Sequence, residues 1–287
     1  MKALILGAGG QVGRALAATA PEGAETVALG RSDCDVGDPA GLRAAIGAVR
    51  PDVVFNAAAY TAVDKAESEP EAARRLNAEA PGLIAEAARE AGARTVHLST
   101  DFVFGGAAEG PRRPQDPVRP EGVYAQTKLE GERAAQAADP DALIVRTAWV
   151  YAPAGANFVN TMLRLMAERD SLRVVADQVG TPTWAPSLAS ALWRLADLRA
   201  GGVHHFTDSG VASWYDFAVA IAEEALDAGL LEAPARIEPI ATADYPTDAK
   251  RPAFSVLDKS ATWALLGSAA PHWRVNLRAN LRELANV

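Results

Sequence analysis

KALILGAGGQVGRALAATA, residues 2–20, decides the fold. A short apolar run, Lys2–Leu6, leads straight into a cluster of glycines, and Gln11–Ala20 then reads as a helix. An apolar run this short, ended by glycines, predicts a buried strand. Gly7, Gly10 and Gly13 stand three apart, with Gly9 among them. Strand, glycine turn and helix in that order suit a phosphate. One glycine makes the tight turn, one lets a pyrophosphate approach the backbone, and one lets helix and strand pack closely. The free N–H groups at the helix start then face the phosphates. The spacing is G-x-x-G-x-x-G. The G-x-G-x-x-G pattern fails, because counted from Gly7 and Gly9 its last position is Val12.

Outward from this unit the alternation continues. Thr26–Leu29, Asp52–Asn56, Arg94–Leu98 and Ala142–Arg146 read as strands, and Ala40–Arg50, Pro70–Gly92 and Gly122–Ala138 as helices. Pro51 stops the second helix, as a residue without an N–H does. Strands alternating with helices predict an α/β fold: a Rossmann-type, doubly wound parallel sheet covered on both faces. After about residue 150 the rhythm breaks. Pro and Gly cluster at Pro153–Gly155 and Gly180–Pro186, and Pro234, Pro239, Pro246 and Pro252 follow, with helical stretches at Phe158–Arg169, Ser187–Leu198 and Trp214–Ala228. The expected organisation is a nucleotide-binding domain over residues 1–150. Residues 151–287 mainly form a smaller substrate-binding lobe, interleaved with the last core elements.

Composition bounds the function. With 287 residues, 49% apolar and 22% charged, the chain is globular, of about two domains. A net charge of −8 argues against nucleic acid and anionic lipid as partners. One cysteine, Cys34, forms no intrachain disulfide and no Cys-rich metal site. No leader pattern and no membrane-length apolar run is present, so a soluble, cytoplasmic protein is expected.

At the end of the second strand, where a carboxylate ordinarily accepts from the adenosine ribose, Leu29 is followed by Gly30 and Arg31. An Arg there suits a 2′-phosphate. Asp35, a little further on, is a candidate for the adenine edge. Tyr124 and Lys128 lie four apart at the start of a predicted helix and so share a face. An ammonium beside a phenol stabilises the phenolate and is expected to lower the phenol pKa, which makes Tyr124 a general acid. Five tyrosines and five lysines give about 0.09 accidental Tyr-x-x-x-Lys matches, and one is present. Ser99, Thr100 and Asp101 close the fourth strand at the sheet edge where ligands bind. Alternation turns Thr100 toward a carbonyl and Ser99 away. His204 and His205, neighbours on a predicted strand, face opposite sides and read as structural.

Together these residues resemble the extended short-chain dehydrogenase/reductases. Longer segments are similar to the dTDP-4-dehydrorhamnose reductase family within them: NAAAYTAVDKAESEP (56–70), STDFVF (99–104), VYAQTKLEGE (123–132), RTAWVYA (146–152), NFVNTMLRL (157–165), DQVGTPT (177–183), WYDFA (214–218), YPT (245–247) and RP-x-x-S-x-L (251–257). The resemblance covers nearly the whole chain. It implies reduction of the C4 ketone of dTDP-4-dehydro-L-rhamnose to dTDP-L-rhamnose. Tyr124 would be the proton donor, Lys128 its partner and holder of the nicotinamide ribose, and Thr100 the carbonyl contact. Asp101 and Trp149 would meet the sugar nucleotide. Gly10, Gln11 and Val12 would line the pyrophosphate, Ala59, Tyr60 and Thr61 the cofactor, and Asn77 would support.

NADPH is the cofactor expected, with NADH open, because Gly30 stands where relatives that use both carry Asp. The resemblance also implies that some members form a dimer through a magnesium ion held by carboxylates. At two places where its ligands are sought, this chain has Ala15 and Pro186, which offer no oxygen to a hard cation. The expected state is thus a monomer or weak homodimer, with no metal ligands assigned. Another sugar-nucleotide reductase or epimerase, or a non-catalytic regulatory subunit, would use the same fold. An epimerase calls for a longer substrate lobe, and a regulatory subunit for an eroded Tyr–Lys pair.

Overall fold

Ala3 and Ile5 point into one hydrophobic core and Leu4 and Leu6 into another, which is why the first strand carries no polar face. The computed structural model describes residues 1–106, 110–233 and 235–286. Pro234 lies outside the described residues.

Its first half runs β1 (Lys2–Leu6), α1 (Gln11–Ala18), β2 (Glu25–Leu29), α2 (Pro39–Val49), β3 (Val53–Asn56), α3 (Val63–Ser68), α4 (Pro70–Arg74), α5 (Ala80–Glu90), β4 (Arg94–Thr100), α6 (Gly122–Ala138) and β5 (Leu143–Thr147). The second half continues with β6 (Val150–Tyr151), α7 (Phe158–Glu168), β7 (Ser171–Val175), β8 (Val179–Gly180), β9 (Thr183–Trp184) and α8 (Ala185–Asp197). It closes with β10 (Gly202–His205), β11 (Ala212–Ser213), α9 (Trp214–Asp227), β12 (Arg236–Ile240), α10 (Ser260–Leu266) and α11 (Trp273–Ala285). Six strands form one parallel sheet in the order β10-β5-β4-β3-β1-β2. The chain leaves β1 toward β2 on one side and returns to β3 on the other. That reversal opens a crevice at the carboxyl ends of the strands.

Helices α1 and α8 cover one face of the sheet. Trp193 of α8 packs edge-on to Phe55, ring centroids 4.7 Å apart, and its indole N–H donates to the Leu16 carbonyl at 2.9 Å. Leu42, Ile46 and Ile84 of α2 and α5 cover the other face. A third core gathers α7, α9, α11, β7 and β12 around Phe217, Tyr151 and Trp273.

The expected single helix over 70–92 is broken. A π-helical turn, Arg75–Glu79, separates α4 from α5. Pro81 is the cause: it has no N–H to give the Asn77 carbonyl one turn back, and its ring crowds that carbonyl. α3 precedes this segment and was not expected. β4 extends past Leu98 to Thr100, because Ser99 and Thr100 pair in register with Arg146 and Thr147 of β5. Among the described residues no helix is long and apolar enough to cross a membrane.

Candidate active site

The cradle after β1 is shaped by what its glycines lack. Gly7 has φ +82°, and a Cβ there would sit 2.6 Å from the Ala58 nitrogen. A Cβ on Gly13 would overlap the Gly7 carbonyl oxygen. Gly10 is the N-cap of α1 and brings no side chain to satisfy the first-turn amides. Gly10, Gln11 and Val12 border a cleft of about 540 Å³ between the cradle and β4. The Gln11 side-chain carbonyl accepts from Asn157 Nδ2 at 3.0 Å, and Asn157 also caps α7 by accepting from the Asn160 amide. One side chain thus ties the second half of the chain to the cradle.

Past β3, Ala59 and Thr61 border the same cleft. Tyr60 turns its ring away, donating from its hydroxyl to Glu69 at 2.7 Å. Its backbone is gripped from both sides by buried Asn77, which accepts from the Tyr60 N–H at 2.8 Å and donates to the Tyr60 carbonyl at 3.0 Å. At the end of β2 a smaller hollow of about 340 Å³ is bordered by Gly30, Arg31, Asp35 and Arg75. Both nearby carboxylates are already engaged. Asp33 accepts from the Gly30 N–H at 2.8 Å. Asp35 accepts from the Gly37 N–H at 3.0 Å and from Arg75 at 2.5 Å, contacts that hold its carboxyl below the ordinary range.

On the other side of the cleft, Thr100, Asp101, Tyr124, Lys128 and Trp149 come together. The Thr100 hydroxyl donates to Asp101 Oδ1 at 3.0 Å and accepts from the Phe102 N–H at 3.2 Å. Ser99 points the opposite way and donates to Glu132. Asp101 is 3% exposed, with the Thr100 and Ser255 hydroxyls against its carboxylate, and burial pushes its pKa up to about 6. Lys128 is likewise buried and donates to the Leu98 carbonyl at 2.6 Å; burial pulls it down to about 8. Tyr124 departs from expectation. Its phenol is not lowered but pushed up to about 12, because burial and the Asp101 charge outweigh the Thr100 hydrogen bond. Its ring stands edge-on to Phe102, centroids 5.5 Å apart.

Trp149 sits at φ +48°, a strained backbone for a bulky residue at the rim of a cleft. Its indole stacks on Trp214 at 3.4 Å and 5°. A Cβ on Gly180 would lie 2.7 Å from that indole, so this glycine makes room for it.

The family pattern described as RmlD substrate binding domain matches residues 1–286. A dTDP-4-dehydrorhamnose reductase of Burkholderia thailandensis is 42% identical, covering 99% of each chain. The chain belongs to the dTDP-4-dehydrorhamnose reductase family. Two solved members share its architecture. The Clostridium acetobutylicum structure superposes with a TM-score of 0.93 at 38% identity over 99% of both chains. The Bacillus anthracis structure, in complex with NADP, gives 0.93 at 30% identity over 98% of this chain and 99% of that one.

The magnesium ion that the resemblance implies finds no side-chain ligand at Ala15 or Pro186. Ala15 is buried in the core beneath α8, and Pro186 occupies the first turn of α8. Neither side chain carries a ligating atom, and among the described residues no three His, Cys, Asp or Glu side chains gather as a metal set. His205 is fully buried, its Nδ1–H donates to the Asp258 carbonyl at 3.2 Å, and burial pulls its pKa down to about 3. His204 lies by Thr262 on the other side of the strand.

Arg75 borders the β2 hollow, Asn157 bonds to Gln11 of the cradle and Trp214 stacks on Trp149 at the cleft, although sequence spacing did not select them. Asn157 and Trp214 lie in the quoted family segments, which is the signal that marks them. Arg75, the first residue of the π-turn, meets Asp35 at the β2 hollow.

Proposed function

We propose that this chain reduces the C4 ketone of dTDP-4-dehydro-L-rhamnose to dTDP-L-rhamnose with NADPH. The observation that carries the reading is the meeting of Thr100, Asp101, Tyr124 and Lys128 at the carboxyl end of β4, across one cleft from the glycine cradle. Gly7 and Gly13 let the turn close tightly where a Cβ would meet backbone, and the first turn of α1 behind Gly10 presents amides free of a side-chain cap, so these residues fit a pyrophosphate. NADPH, when bound, supplies the hydride that the carbonyl carbon accepts.

The chain's own groups manage the oxygen. Thr100 and Tyr124 hydrogen-bond the carbonyl and polarise it, and the Tyr124 O–H passes its proton to the oxygen as negative charge develops there. The phenolate left behind is stabilised by the Lys128 ammonium. An acid held near 12 keeps its proton until the substrate oxygen becomes strongly basic, so protonation and reduction go together. Asp101, at the border of the cleft, accepts from a sugar hydroxyl, and the Trp149–Trp214 stack offers a flat wall to the sugar nucleotide.

Arg31 at the open end of β2, with Asp33 and Asp35 already engaged, supports preference for the 2′-phosphorylated cofactor. A monomer or weak homodimer without a metal bridge, acting in the cytoplasm on soluble metabolites, completes the reading. Loss of NADPH absorbance on adding dTDP-4-dehydro-L-rhamnose tests it. Turnover with that ketone, and none with dTDP-glucose, is expected; no oxidation of NADPH would remove it.

A further inference from the structure

Behind the proton-transfer pair, three side chains that the mechanism does not use form a closed unit. Glu132 lies one turn beyond Lys128 on the same face of α6. It accepts from Arg146 twice, Nε to Oε1 at 2.9 Å and Nη2 to Oε2 at 2.7 Å, and Ser99 donates to it as well. Arg146 Nη1 donates to the Pro114 carbonyl at 3.1 Å, and its guanidinium lies 5.0 Å over the Phe104 ring. Glu132, Arg146 and Ser99 are 2%, 4% and 4% exposed. A buried ion pair is weak evidence for stability, since apolar groups of similar volume often serve as well. A carboxylate kept there invites a question about what else its charge acts on.

The next charge along that face of α6 is Lys128, itself buried. Ser99 directly follows Leu98, whose carbonyl takes the Lys128 ammonium, and Ser99 pairs in register with Arg146 across β4 and β5. The pin on Ser99 and the clamp on Glu132 therefore close on the same rung of the sheet. The groups around Lys128 divide clearly. From β4 come the Leu98 carbonyl and the imidazole of His97, kept neutral by burial and bonded to Asn56 at 2.9 Å. After β4 comes Asp101, which borders the cleft. From β5 comes Arg146, engaged by Glu132, and from α6 itself Tyr124 and Glu132. Behind the cleft, Glu132 is the carboxylate that opposes the burial of the ammonium.

We propose that Glu132, clamped by Arg146 and hydrogen-bonded to Ser99, is a positioning residue: it keeps Lys128 an ammonium and fixes the carbonyl that holds it. The catalytic consequence rests on the reading of Tyr124 and Lys128 as the proton-transfer pair; the effect on Lys128 itself does not. Burial draws Lys128 down and the Glu132 charge draws it back up. Without that charge the lysine gives up its proton closer to neutrality and no longer stabilises the Tyr124 phenolate.

The test is a pH titration of the apo protein carrying ζ-¹⁵N-lysine, with Lys128 assigned by Lys128→Met. In Glu132→Gln the Lys128 midpoint should fall by about one unit, and Glu132→Asp, which keeps the charge, should restore part of it. The alkaline limb of kcat should move down by the same amount. A folded Glu132→Gln protein with an unmoved Lys128 midpoint overturns the proposal. If Glu132→Gln does not fold, Ser99→Ala carries the test, since it leaves the ion pair whole. There the Lys128 ammonium protons should exchange with water about fivefold faster as the Leu98 carbonyl loosens. Unchanged exchange would overturn it. A shifted midpoint in a protein that does not turn over the ketone would sink the reductase reading and leave the Glu132–Lys128 coupling standing.

Discussion

The two walls of the cleft are built from opposite materials. Along β1 and α1 the surface is backbone, shaped by missing side chains: added atoms at Gly7 or Gly13 would collide with backbone of the fold itself. Along β4 and α6 the surface is side chains, and their burial sets their chemistry: Asp101 is drawn to about 6, Lys128 to about 8 and Tyr124 to about 12. Damage to the first wall should appear as lost cofactor affinity. Damage to the second should appear as lost turnover with the cofactor still bound.

The largest effect belongs to the side-chain wall. Tyr124→Phe should lower kcat by about 10²–10⁴-fold while the NADPH dissociation constant, read by fluorescence, stays within about twofold. A matching loss of affinity would mean that the walls are not separate. Gly13→Ala is the mirror experiment. Overpacking of this kind costs about 1–3 kcal/mol, so NADPH binding should weaken by about 5–150-fold, with the rate at saturating cofactor much closer to wild type. If that protein instead binds normally and turns over slowly, the cradle has been misassigned.

pH acts on the side-chain wall alone. The proposed mechanism uses Lys128 as an ammonium, and its folded pKa is depressed. Activity should therefore hold below about pH 8 and fall as pH rises through it, approaching tenfold per unit, with NADPH affinity changing less. A kcat flat to pH 10 would remove Lys128 from proton transfer. Arg31→Ala touches the open end of the backbone wall. A charge-assisted hydrogen bond contributes about 1.5–3 kcal/mol before screening, so at this exposed rim the NADPH-over-NADH ratio of kcat/KM should drop by about tenfold at low salt and by less at high salt. An unchanged ratio would mean that Arg31 does not read the phosphate. Trp214→Ala is the mildest change. It removes a stacked partner of Trp149 and should raise KM for the sugar nucleotide by about fivefold, leaving cofactor binding alone.

The contrast also explains what the sequence could tell. A backbone site advertises itself by glycine spacing, because only a residue without Cβ satisfies it, and Gly7, Gly10 and Gly13 were legible for that reason. Tyr124 and Lys128 were legible because one helix fixes both. Alternation along β4 separated Thr100 from Ser99. The π-turn was hidden, because the Ala-rich stretch reads as helix throughout and Pro81 acts on a carbonyl four residues back. Arg75, Asn157 and Glu132 gain meaning only through partners far away in the chain, Asp35, Gln11 and Arg146. The direction of the Tyr124 shift is hidden in the sequence for the same reason. Helix spacing placed an ammonium nearby, whereas burial and Asp101, both products of the folded chain, decide the phenol.

Carbonyl reduction by direct hydride transfer, protonated by Tyr124, is the central claim, and isotope transfer tests it most directly. The protein is incubated with dTDP-4-dehydro-L-rhamnose and NADPH carrying deuterium at both C4 positions of the nicotinamide, and the sugar nucleotide is examined by mass spectrometry and NMR. One deuterium at C4 of dTDP-L-rhamnose, formed at a wild-type rate and at least about a hundredfold more slowly by Tyr124→Phe, is the expected result. NADPH left unconsumed, deuterium absent from C4, or a Tyr124→Phe protein that labels the product as fast as wild type would contradict it.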